Sequence, residues 1–250
     1  MTKDMTNGKP IKLILGFAVP LLLGNLFQQF YNLVDTVIVG KVLGVNSLAA
    51  VGSTGSINFL IIGFCMGICN GFAIPVAQSF GAKNDKTLRK YVANSTWLAL
   101  LFAVIMTIAT IILCKPILRL MRTPDDIFTG AYTYIVIIFA GIPATILYNM
   151  VSGILRAMGD SKTPLYFLIL SAFLNIFLDL FCIIVLHMGV AGAAVATVVS
   201  QAVSGVSCLL YMRKKFDILH IRKDEWKLES QYVKNLCSMG IPMGLQLSLI

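Results

Sequence analysis

The sequence predicts an all-α fold, a polytopic membrane helical bundle of six transmembrane helices plus a truncated seventh. Composition, segment length and charge placement each point there. Hydrophobic residues make up 58% of the chain and charged residues 12%, whereas a soluble domain carries roughly 45–50% and about 25%. So little charge cannot clothe a surface in water, and a mean hydropathy of +0.85 leaves lipid as the alternative solvent. The first six apolar stretches reach the ~20 residues that a helix needs to cross a bilayer. Basic residues gather at alternate ends of those stretches.

The first span, 13–39, carries Pro20 and exceeds the roughly 7–15-residue apolar core of a signal peptide, so it is expected to be retained. The second, 48–80, contains Gly63, Gly67 and Pro75, and the fourth, 128–155, contains Pro143. Such residues disfavour a helix in water but are tolerated in a bundle, where neighbours re-satisfy the freed backbone groups. The third (91–113), fifth (165–186) and sixth (190–212) are apolar throughout, with scattered hydroxyls and amides. Residues 213–232 form a charged linker. It reads as an in-plane amphipathic helix with Phe216 and Trp226 at the headgroups, or as a solvated loop. A seventh helix opens at 235 and runs to 250. Lys12 to Pro20 (KLILGFAVP) is echoed by Lys234 to Pro242 (KNLCSMGIP), with the Lys–Pro spacing kept. Internal repeats of this kind mark secondary transporters. The expected organisation is a six-helix lobe over 1–212, a cytoplasmic linker over 213–232 and the start of a second lobe over 233–250, its remainder belonging to the same protein beyond this chain.

The net charge of +9 is a matter of topology rather than of nucleic-acid binding. Sixteen of the twenty Lys and Arg lie on one side of the bundle, and four (Lys41, Lys115, Arg119, Arg122) on the other. The positive-inside rule then places the N-terminus in the cytoplasm of a multi-pass plasma-membrane protein. Membrane lipid is an expected partner and nucleic acid is not. The six cysteines lack the spacing of a zinc site and read as packing residues. His187 and His220 fall in opposite loops and cannot pair.

Of eleven acidic residues, only Asp35 in the first span and Asp179 in the fifth lie inside spans. A charged Asp at mid-helix costs about 2.5–3.5 kcal/mol on insertion scales, and such residues usually mark ion or proton pathways. Polar residues surround both at helical spacing. The first span carries Asn25, Gln28, Gln29, Asn32, Asp35 and Thr36, and the fifth Ser171, Asn175 and Asp179. The sixth carries Thr197, Ser200, Gln201 and Ser204, and the fourth Thr145, Tyr148, Asn149 and Ser152. Four such stripes describe one wet cavity. Asp35, Asn175, Asp179 and Thr197 offer oxygen ligands to a hard monovalent cation. Two carboxylates in a partly desolvated site cannot both ionise cheaply, so a proton competes with a cation for the pair. Mutually exclusive occupancy is the physical basis of antiport.

At these residues the chain resembles the MATE (multidrug and toxic compound extrusion) transporters. The resemblance rests on an ordered set of blocks: Ala18-Val19-Pro20 through Gly24-Asn25, Asp35-Thr36-Val37, Leu48-Ala49-Ala50-Val51-Gly52, Gln78-Ser79-Phe80-Gly81, Arg156-Ala157-Met158-Gly159-Asp160, Asn175 through Asp179, Gly189-Val190-Ala191-Gly192, and Gly240-Ile241-Pro242. It implies twelve helices in two lobes, and export of small organic cations in exchange for sodium ions or protons, with no enzymatic step and no other cofactor. By the same resemblance Asp35, Asn175, Asp179 and Thr197 form the first-lobe cation site, Asn149 lies beside it, and Pro20 marks where the first helix bends. A flippase for lipid-linked oligosaccharides shares a related architecture but would need a cationic central cavity. An intramembrane aspartyl protease would need Y-D and G-x-G-D motifs, which are absent here.

Overall fold

The computed structural model describes residues 10–249. Lys3, Asp4, Lys9 and Ile250 lie outside the described residues. Every expected span is helical, and no strand occurs among the described residues. The helices are α1 (Pro10–Leu43), α2 (Val45–Ser53), α3 (Gly55–Gly81), α4 (Asp85–Leu120), α5 (Asp125–Ala140), α6 (Ile142–Ala157), α7 (Lys162–Leu180), α8 (Val190–Lys215) and α9 (Ser230–Leu249). Five of them are individually long and apolar enough to cross a membrane, and α5 with α6 makes a sixth span bent by 45°. The surface is inverted relative to a soluble protein: Leu100, Val104, Ile108, Phe173 and Phe177 are all exposed. The chain is a multi-span membrane protein.

Two expected spans are broken, each for a local reason. The second divides at Thr54. There the hydroxyl of Ser53 donates to the Ala50 carbonyl (2.8 Å) and that of Thr54 to the Val51 carbonyl (2.7 Å). Hydroxyls that bond back to the preceding turn compete with the helical ladder, and Gly52 and Gly55 flank the break. The fourth divides at Gly141, two residues before Pro143. The proline has no N–H to donate and its ring crowds the preceding turn. By contrast, α1 continues uninterrupted through Pro20, so the bend expected there takes the form of no helix break. Gly44, with φ of 85°, supplies the left-handed residue that lets α1 turn directly into α2.

α6 lies at the centre, with α3 on one side and α8 on the other, and α7 fills between α8 and α1. Phe72, Ile135, Phe139 and Leu155 are fully buried between these layers. The linker is not an in-plane α-helix, and most of its described side chains are exposed, as in a solvated loop. Its regular structure is two short 3-10 turns, Asp217–Leu219 and Lys223–Trp226, and it is clamped onto α4. Arg89 Nε donates to both Glu225 oxygens (3.0 and 2.8 Å), Asn94 Oδ1 accepts from the Glu229 N–H (3.0 Å), and Trp97 Nε1 donates to the Trp226 carbonyl (3.1 Å). Phe216, expected at the headgroups, is buried. α9 lies along α3, glycine against glycine.

Candidate functional site

Asn175 and Asp179 sit one turn apart on α7, so both side chains leave the same face. Immediately after Asp179 the helix loosens into a π-helical turn, Phe181–Val185, a feature frequent at functional sites. Both residues are buried to within 1% of full burial, and Asp35 on α1 is 9% exposed. The orientation of the Asn175 amide that satisfies both its ends has Nδ2 donating to Asp179 Oδ2 (2.9 Å) and Oδ1 accepting from Thr197 Oγ1 on α8 (3.2 Å). Asp35 and Asp179 are electrostatic neighbours across the packed α1 and α7. Two bare carboxylates so placed repel, a cost that a proton or a cation would relieve. Asp35 Oδ1 and Asp179 Oδ1 are each buried without a hydrogen-bond partner among the described residues. The sequence-predicted quartet of Asp35, Asn175, Asp179 and Thr197 therefore comes together from α1, α7 and α8.

The polar stripes of α1, α6 and α8 line adjoining cavities. A cavity of about 560 Å³ is lined by Asn25, Gln28, Gln29, Asn32 and Asp35 of α1, by Asn58 and neighbours of α3, and by Tyr134, Thr145, Thr197 and Gln201. A smaller pocket of about 60 Å³ beside it is lined by Tyr148, Asn149 and Ser171, and shares Gln28, Tyr31, Thr145 and Gln201 with the larger one. Asn175 and Asp179 line neither; they stand behind Asp35, which faces both the cavity and the carboxylate pair. Several polar side chains are spent on structure. Asn149 Nδ2 donates to the Thr145 carbonyl (2.8 Å), and the Tyr148 hydroxyl donates to the Pro164 carbonyl (3.0 Å), tying α6 to α7. Thr145 Oγ1 donates to Gln201 Oε1 (2.6 Å), joining α6 to α8 across the cavity wall.

Three wall residues escaped sequence reasoning. Tyr31 lines the cavity with Thr197 and lies three residues after Gln28 and four before Asp35, on the stripe already recognised. Its ring masked it as apolar. Tyr134 was hidden likewise in an aliphatic run, and Asn58 stood alone beside the unexpected break at Thr54. The cysteines are free, and five of the six are buried, as packing residues would be.

Comparison with known proteins identifies the family. The MatE family model matches residues 20–181. The probable multidrug resistance protein YoeA of Bacillus subtilis is 35% identical over 94% of this chain and 52% of its own length. For YpnP of the same organism the figures are 33%, 99% and 55%. A solved MOP superfamily transporter from Pyrococcus furiosus superposes with a TM-score of 0.90 at 28% identity, over 98% of this chain and 54% of that one. The chain spans about half the length of the curated relatives it matches. With the family model covering most of the helices that build the site, the chain belongs to the MatE family.

Proposed function

We propose that this chain is the coupling half of a multidrug exporter that exchanges organic cations for sodium ions or protons across the plasma membrane, with its N-terminus in the cytoplasm. The observation that carries the reading is the pair of buried carboxylates from α1 and α7, each with an oxygen that no group among the described residues satisfies. A buried unpaired charge is costly, and a cation or a proton relieves that cost. All the nearby ligands are oxygens, the donor set that a hard cation prefers. Asp35 supplies the coupling. An organic cation in the cavity meets Asp35 from one side, and an ion at Asp179 shares the same carboxylate from the other. Neither occupant tolerates the other well, and exchange follows. The relatives named as multidrug resistance proteins support the substrate class. A flippase for a pyrophosphate-linked sugar is disfavoured, because no Lys or Arg lines the cavity among the described residues.

Dye efflux from vesicles containing the full-length protein tests this reading, with sodium and pH gradients imposed separately. Asp35→Asn and Asp179→Asn should each lower efflux about tenfold or more, and the double substitution little further, as expected of residues acting as a unit. Normal efflux with normal ion dependence in both single variants would refute the site.

A further inference from the structure

A second cavity, remote from the carboxylates, opens towards the membrane. α4 and α8 both pack on α6, and a slot of about 440 Å³ runs between them over the outer face of α6. Leu147, Met150 and Ile154 of α6 form its floor, Ala99 and Ala103 keep the α4 wall thin, and Leu209 stands on the α8 side. Along α6 the slot extends from Pro143 to Ile154, about 16 Å at 1.5 Å per residue. That is about half the ~30 Å hydrocarbon thickness of a bilayer, the depth of one leaflet.

The chemistry changes at the end where the basic residues gather. Arg213, His220 and Trp226 close the slot there. Arg213 is exposed and makes no ion pair with any described residue. Among the described residues, Asp217 has an oxygen 3.7 Å from His220 Nδ1, but its side chain is 96% exposed and it does not line the slot. Glu225, beneath the linker, is already held by Arg89. Trp226 is part-exposed and packs edge-on against Trp97, ring centroids 6.2 Å apart, as tryptophans do at a membrane interface. An apolar slot one leaflet deep, with a basic mouth and an indole at headgroup level, matches one molecule. We propose that the slot holds an acyl chain of an anionic phospholipid, with its phosphate held by Arg213 and His220. Basic pockets between transmembrane helices bind anionic headgroups in this manner. The site is independent of the coupling site and of the direction of transport.

Native mass spectrometry of the detergent-purified full-length protein tests the proposal, titrating phosphatidylglycerol against phosphatidylcholine with the same acyl chains. One phosphatidylglycerol should be retained in preference. Each surface cation contributes about 1 kcal/mol towards an anionic lipid, or roughly fivefold in affinity. Arg213→Gln, a change on an exposed side chain, should therefore lower phosphatidylglycerol affinity roughly fivefold and phosphatidylcholine affinity less, because the choline cation already offsets that lipid's phosphate charge. Ala103→Phe, which fills the slot, should remove retention of both lipids, while free glycerol phosphate should not compete. Lys83→Gln, in the basic loop between α3 and α4, is the control for diffuse attraction and should change nothing. Equal retention of the two lipids by the unaltered protein, or a Lys83→Gln effect equal to that of Arg213→Gln, would overturn the proposal.

Discussion

Four carboxylates are buried among the described residues, and their surroundings divide them into two kinds. Asp160 accepts from the Thr163 N–H (3.0 Å) and the Thr163 hydroxyl (2.7 Å), fixing the start of α7. Glu225 accepts from Arg89 and from the Arg222 N–H (3.0 Å), fixing the linker on α4. Asp35 and Asp179 each leave an oxygen bare. The first two are satisfied by their own chain, and the second two are the pair on which the proposed coupling rests. The structural kind has a pH signature. The Arg89 guanidinium holds Glu225 below the usual carboxylate range, helped by the Arg222 N–H. A group whose pKa is depressed in the folded state contributes stability that is complete above its unfolded value and disappears as pH falls through the folded one. The amides of residues 222–229 should therefore stay protected from hydrogen exchange at neutral pH and lose protection selectively in acid, below the ordinary carboxylate range. Glu225→Gln should show the acid pattern already at pH 7. Unchanged protection in that variant would mean that Asn94 and Trp97 hold the linker alone. At this scale much was legible in the sequence. Asp35 and Asp179 stood out as the only acids within spans, and Asn175 by its spacing from Asp179. The division of labour among the other polar residues was not, because one-dimensional spacing cannot show whether an amide faces a cavity or its own backbone.

Between elements, the tightest contact joins α3 to α9. Gly63, Gly67 and Gly71 recur every four residues on α3 and meet the α9 backbone from Met239 to Ser248. A Cβ at Gly71 would sit 2.5 Å from Gly240 Cα, and one at Gly63 2.9 Å from the Leu247 carbonyl oxygen. Small residues at four-residue steps let membrane helices approach backbone to backbone, and a backbone cannot swing aside as a side chain can. Gly71→Ala should therefore cost about 1–3 kcal/mol of overpacking and lower the melting temperature of the purified protein by several degrees. Gly55→Ala, whose Cβ meets nothing within 4 Å, should be neutral. Equal effects at the two positions would show that α9 does not seat on α3 as described. The helices themselves were legible, since hydropathy and length define a span whatever its neighbours. Their breaks at Thr54 and Gly141 were less so. A hydropathy window averages over about 19 residues, whereas a hydroxyl bonding back to a carbonyl or a proline ring acts on one turn. Pro143 was visible and so was Pro20, yet only Pro143 coincides with a break, and only it follows a glycine at two residues' distance.

For the molecule as a whole, the decisive feature is what covers α1. Asn25, Gln29 and Asn32 line the cavity and are exposed, as are Leu22, Leu26 and Leu33 on the same helix. Amides at mid-bilayer depth are costly against lipid and are found where they line a protein interior or a water-filled cavity. The cavity thus needs a further polar wall, and the relatives, about twice the length of this chain, have the residues to form one. The echo of Lys12 to Pro20 in Lys234 to Pro242 points the same way, and Pro242 lies within α9 as Pro20 lies within α1. Alternating access needs two units that move about a shared site, so residues 1–250 alone should insert but not transport. Expressed alone, the chain should reach the membrane fraction, because each helix satisfies its own backbone. Dye efflux from cells carrying it should match that of cells with an empty vector. If the protein continues as its longer relatives do, co-expression of that second half as a separate chain should restore efflux. Placing Asp35→Asn in this chain should cancel the rescue, which separates restored coupling from mere stabilisation of the second half. Full efflux from residues 1–250 without a partner would show that the cavity is complete as it stands, and that the exposed amides of α1 face lipid or a second copy of the same chain.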